Sequence, residues 1–227
     1  MLEPDSLRGG MARRCDVTDA WDLVSLDPGA RACGGAAFRG GKLVSAGFVK
    51  ADPPAKVVGA ASARAGGAAL MAGAFVRWVD GRQVRDVAVE WPRVYAGAIR
   101  RGESKADPND LLALAASSAA VATALSRECG VEVVASYCPS EWKGQLPKDV
   151  CDRRVRSRLD AGEAAVLDLA CVRAGKLAHN VVDAVGIGLH HLGRLAPRLA
   201  PRLAAGGAGQ PGDAAKAEAA ARSIWDD

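Results

Sequence analysis

The sequence predicts an α/β domain on a five-stranded mixed sheet, a three-stranded antiparallel meander plus two parallel strands, flanked by helices. Three observations predict it. The short apolar runs "DLVSLD" and "DVAVEW" each end near an acid and are separated by a long helical stretch, so a right-handed crossover would make them parallel. Next to the first run, "CGGAAFRGGKLVSAGFVK" reads as two strands turning back at Gly40-Gly41, a dipeptide suited to a tight primed hairpin. Finally, 227 residues with 49% hydrophobic and 4% aromatic content suit a single aliphatic core.

Each element follows from local pattern. Residues 1–20 lack periodicity and are expected to form a loose tail, with Met11 a possible alternative start. Order is expected from Trp21, with a first strand over about 22–27 and Asp27 at its C-terminal end. A crossover helix is expected within 55–80, its apolar face carrying Leu70, Met71, Ala74, Phe75 and Trp78. "VRDVAVEW" alternates Val84, Val87 and Val89 and gives the fourth strand, ending on Glu90. An Ala/Leu helix over about 109–128 should be capped by Asn109 or Asp107, and "VEVVASYC" supplies the fifth strand. Two helical segments, 149–159 and 160–172, precede a final helix over about 176–194. From Pro197 the chain is low in complexity, so 21–195 is read as the domain and 196–227 as a tail. Ile224 and Trp225 in that tail are either a docking peptide for a protein partner or a stretch packed back on the domain.

Bulk charge is uninformative, at +4. The six cysteines, Cys15, Cys33, Cys129, Cys138, Cys151 and Cys171, form no CxxC pair and read as reduced thiols. No apolar leader and no window of eighteen uncharged apolar residues is present, so a cytoplasmic protein with no membrane partner is expected.

Three acids can meet. Parallel neighbouring strands bring Asp27 and Glu90 to one sheet edge, where open α/β sheets place their sites. Two carboxylates that close repel unless a cation lies between them, and hard divalent ions such as Mg²⁺ or Mn²⁺ accept carboxylate oxygens. In "AHNVVDAVGIGLHHLG", His179 and Asn180 precede Asp183 by four and three residues and share its helix face. A three-carboxylate site holding two cations serves phosphodiester hydrolysis. Each feature also has a plainer reading: a DPG turn, a solvated strand end, and packing histidines at His190 and His191.

Taken together, "LVSLDPGARACGGAAF", "DVAVEW" and "HNVVDAVGIGLHHL" resemble the RuvC-like Holliday junction resolvases of the ribonuclease H-like fold, over about residues 21–194. The resemblance implies a homodimer, dependence on Mg²⁺ or Mn²⁺ with two ions per site, and structure-selective cutting of four-way DNA junctions. It places Asp27, Glu90 and Asp183 as the metal-binding carboxylates. The family has an acid or a histidine three residues before the last aspartate; here Asn180 stands there and His179 lies one residue earlier, so either could complete the site.

Two basic regions fit a DNA partner. Residues 141–158 carry six basic against three acidic residues, an excess that phosphates would favour. The resemblance puts a lysine of this loop near the scissile phosphate, with Lys143 and Lys148 as candidates, while Arg153, Arg154, Arg156 and Arg158 would grip more distant phosphates or simply be solvated. After Glu90, Trp91 and Tyr95 lie among Arg93, Arg100, Arg101 and Lys105, a mixture that can stack on bases and hold a backbone; either ring could instead pack on the next helix, and Trp91, next to the strand, is the better placed to do so. An RNA-processing nuclease of the same fold and a non-catalytic junction-binding protein are the alternatives.

Overall fold

The computed structural model describes residues 20–29, 32–50, 60–92 and 108–195, with only the backbone of 60–65 and 108. The tails, Met11, Cys15, Arg93, Tyr95, Arg100, Arg101, Lys105, Asp107, Ile224 and Trp225 lie outside the described residues.

The elements are β1 (Trp21–Asp27), β2 (Ala32–Arg39), β3 (Lys42–Lys50), α1 (Ala60–Val79), β4 (Val84–Glu90), α2 (Pro108–Cys129), β5 (Val133–Tyr137), α3 (Pro139–Trp142), α4 (Lys148–Arg156), α5 (Ala161–Ala174) and α6 (Ala178–His191), with a 3₁₀ turn at Gly175–Leu177 before α6. The sheet order is β3-β2-β1-β4-β5. β1 to β3 form the antiparallel meander, and β4 and β5 run parallel to β1. The meander turns at Gly40 (φ 56°) and Gly41 (φ 72°), a pair of left-handed residues that only glycine adopts cheaply.

The core has a layer on each face of the sheet. Alternation along β1 sends Val24 and Leu26 to the side of α1 and α2, and Leu23 to the side of α6. β4 repeats this with Val87 and Val89 on the first side and Ala88 on the second. The same parity turns Asp27 and Glu90 toward α6. Both acids are therefore aimed by the apolar residues before them.

Three expectations need correction. Leu70 is not a core residue: it is 42% exposed, and the buried face of α1 is Ala68, Met71, Ala72, Phe75 and Val79, rotated from the face expected. Asn109 is not the cap of α2, because the helix begins at Pro108 and takes Asn109 into its first turn; proline suits that opening position, where its missing N–H costs nothing. The one-turn helix α3 was not expected at all. Within α2, Asn109–Cys129 has the length and hydropathy of a membrane span; here it lies along α1, burying Val121 and Leu125. None of the five described cysteines is in a disulfide.

Candidate active site

The register fixes two of the acids. Leu26 pairs with Val89, so Asp27 and Glu90 are the next residues along adjacent parallel strands. The third arrives on α6, which packs across β1 and β2. Two features allow that approach. Gly34, opposite Asp27 in the β1–β2 ladder, leaves room for the α6 backbone, since a Cβ there would stand 1.9 Å from the Asn180 carbonyl oxygen. Buried Ser25 donates a 2.7 Å hydrogen bond from Oγ to the Ala184 carbonyl oxygen, tying α6 to β1 one residue beyond Asp183.

Around α6 the apolar residues Val181, Val182, Val185, Ile187 and Leu189 are all buried. They orient the helix, and Asp183 faces the strand ends. Lys143, just after α3, lies between the acids: its Nζ is 3.3 Å from Glu90 Oε2 and 3.3 Å from Asp183 Oδ2. The two carboxylate oxygens thus flank one ammonium group. Trp142 Nε1 donates a 2.8 Å hydrogen bond to the same Glu90 oxygen.

Electrostatics at the site are dominated by negative charge in a poorly hydrated place. Burial, then the charges of Glu90 and Asp183, push the Asp27 carboxyl well above its usual range, and Lys143 and Lys148 only partly offset this. Burial also raises Glu90, against the pull of Lys143 and the Trp142 hydrogen bond. For Lys143 burial alone would favour the neutral amine; Glu90, Asp183 and Asp27 outweigh it and hold the ammonium form more firmly.

This set suits a hard divalent cation in donor chemistry and in charge: three carboxylates share one ammonium, and the buried Asp27 is short of positive neighbours. Among the described residues, no three His, Cys, Asp or Glu side chains are close enough to grip one ion. Lys143 takes up the middle.

The other expected residues are placed as follows. Asn180 sits beside the turn after Asp27, its Nδ2 3.5 Å from the Ala32 carbonyl oxygen. His179 lies on the side of Asp152, whose charge it influences. Lys148 opens α4 and is close enough for its charge to act on Asp27. Arg153 is exposed and paired with Asp149 at 3.2 Å. Arg154 and Arg156 are held by the fold, Arg154 by the Leu195 carbonyl oxygen at 2.8 Å and Arg156 by Asp168. His190 and His191 are packing residues beside Tyr137, whose hydroxyl is 2.9 Å from His191 Nδ1. Trp91, 39% exposed, lines a cleft of about 460 Å³ with Ala119 and Ala122 of α2 and Val134 of β5.

Two residues near the acids were not singled out by sequence pattern. Trp142 is one; its only signal was adjacency to Lys143. The other is Asp152 on α4, raised by burial and then by Asp183, with Oδ1 buried and lacking a hydrogen-bond partner. Its segment, 141–158, is dominated in sequence by six basic residues.

Sheet order and helix placement define the class, a ribonuclease H-like fold with flanking helices. Among solved structures, the chain is similar to Thermus thermophilus RuvC, at 17% identity and a TM-score of 0.46 over 76% of this chain and 96% of that one. It is also similar to T. thermophilus RuvC in complex with Holliday junction substrate, at 19% identity and a TM-score of 0.44 over 75% and 91%. No family model and no curated protein matches the sequence.

Proposed function

We propose that this chain is a divalent-metal-dependent endonuclease that cuts branched DNA, with the four-way junction as its substrate, and that it acts in the cytoplasm as a homodimer. The observation that carries the reading is the meeting of Asp27, Glu90 and Asp183 from two strand ends and one helix, with a single ammonium between two of them. Asp27, Glu90 and Asp183 would hold Mg²⁺ or Mn²⁺, two ions per site, and Asn180 or His179 would complete the ligand set. When bound, such ions activate water and neutralise charge on the leaving oxygen.

The protein's own work is positional. The carboxylates are brought to one place by strand parity and helix packing, and the rearrangement left for a cation to enter is the withdrawal of Lys143 from between Glu90 and Asp183. Lys143 in this reading gives up its place between Glu90 and Asp183 and serves the scissile phosphate as a positive donor. Lys148 and Arg153 lie on the same basic segment, with Arg154 beside them, and add to the attraction for phosphate; Arg93, Tyr95, Arg100 and Arg101 are assigned to the strands beyond the cut. Junction resolution requires two symmetric incisions, which a two-fold dimer supplies.

Substrate class is tested by incubating the protein and Mg²⁺ with a synthetic four-way junction, a linear duplex of the same sequence and a structured RNA. Paired incisions in the junction alone are expected. Cutting of the RNA alone would make the chain an RNA-processing nuclease, and tight junction binding with no incision in either metal would make it a binding protein.

A further inference from the structure

We infer that Trp142 is the positioning residue for Glu90, fixing which oxygen of that carboxylate is offered to a cation; this rests on the functional reading above. The indole N–H can only donate, so its buried partner must be an acceptor, and it finds Glu90 Oε2 at 2.8 Å. Lys143 approaches the same oxygen at 3.3 Å. All described partners of the carboxylate group therefore gather on Oε2, and Oε1 is left without a protein donor among the described residues. A hydrogen bond to an ionised carboxylate is of the stronger, charge-assisted kind and restricts rotation about the terminal bond.

The ring is itself held rigidly enough for this task. Trp142 is 1% exposed, and α6 passes against it at Gly186, where a Cβ would stand 2.5 Å from Cζ3 of the indole and 3.1 Å from Val155 Cγ2. The absence of a side chain at residue 186 is what makes the slot. On its outer side the ring carries the Lys143 ammonium 4.7 Å from its centre, within the range of a cation–π contact. One indole thus sets both the carboxylate and the cation facing it, and does so from α3 while packed against α6, the helix that brings Asp183. A partner of this kind behind a metal ligand typically changes metal affinity or activity by about 10- to 100-fold when removed.

The test is Trp142→Phe, which keeps a ring in the slot and removes the donor, read by Mn²⁺ titration followed by electron paramagnetic resonance. Expected is Mn²⁺ binding weakened about tenfold and single-turnover junction cleavage slowed about as much, with junction affinity unchanged. A merely structural tryptophan would lower the melting temperature and leave Mn²⁺ affinity at the wild-type value, which would overturn the inference while leaving the nuclease reading intact. If the wild-type chain takes up no Mn²⁺, the functional reading fails and this inference with it. Should the variant not fold, the wild-type indole N–H resonance, assigned through its contact with Gly186, decides the matter. It must move on Mg²⁺ addition and in Glu90→Gln, and a resonance indifferent to both would contradict the role.

Discussion

Asp27 carries the clearest conflict in the molecule. Its carboxyl is held well above its ordinary value, by burial first and by Glu90 and Asp183 next. The folded chain therefore binds more protons at this group than the unfolded chain does between pH 3.8 and the raised value, and stability falls as pH climbs through that window. Asp27→Asn removes the buried charge, so in metal-free buffer its melting temperature should exceed that of the wild type by about 3 °C. Thermal unfolding with a chelator present checks this; a lower melting temperature would mean that Asp27 is stabilised by a partner. Glu163 has the opposite sign. Burial opposes its charge, but Arg194, the Asp160 N–H and the Leu43 N–H more than offset that and lower its carboxyl. Its contribution is complete above about pH 4.5 and is lost as pH falls through the lower folded value. Glu163→Gln should destabilise the chain by about 3 kcal/mol at neutral pH and flatten its acid unfolding, as denaturant titrations at two pH values will show.

At the scale of elements, the site depends on how closely α6 meets the sheet. Gly34 sets that distance, and a methyl group there would collide with backbone rather than a flexible side chain. Gly34→Ala should cost about 3 kcal/mol through overpacking and depress cleavage by moving Asp183 from the strand ends, measured by unfolding and by single-turnover rate. An unchanged stability would show that α6 can shift freely. The strands were legible in sequence because short apolar runs joined by a crossover helix must lie parallel, and so Asp27 and Glu90 could be expected at neighbouring strand ends. Asp183 was legible from helix spacing. Trp142 and Asp152 were not, since their roles arise where α3 and α4 pack on α6, a long-range approach that leaves no local pattern. The same limit explains Leu70: one turn of helix offers several near-apolar faces, and only the packing of α1 chooses among them.

At the scale of the whole molecule, the fold puts one set of acids at one sheet edge, whereas a four-way junction needs two incisions. A particle of two 23.3 kDa chains is therefore expected by light scattering; a monomer in the presence of junction would remove the symmetric mechanism. The clasp of Arg194 with Glu163, reaching also to the Gly41 and Arg158 carbonyl oxygens, ties the chain just after α6 to the β2–β3 turn and α5. Whether Asp27, Glu90 and Asp183 form a metal-dependent cutting site is tested most directly by cleavage of a synthetic four-way junction by wild type and Asp27→Asn, each with Mg²⁺, Mn²⁺ or chelator. Incision by the wild type is expected in either metal, none with chelator, and none by Asp27→Asn although that variant still binds the junction. Incision that persists in chelator, or in the Asp27→Asn variant, would contradict a metal-dependent site at these acids.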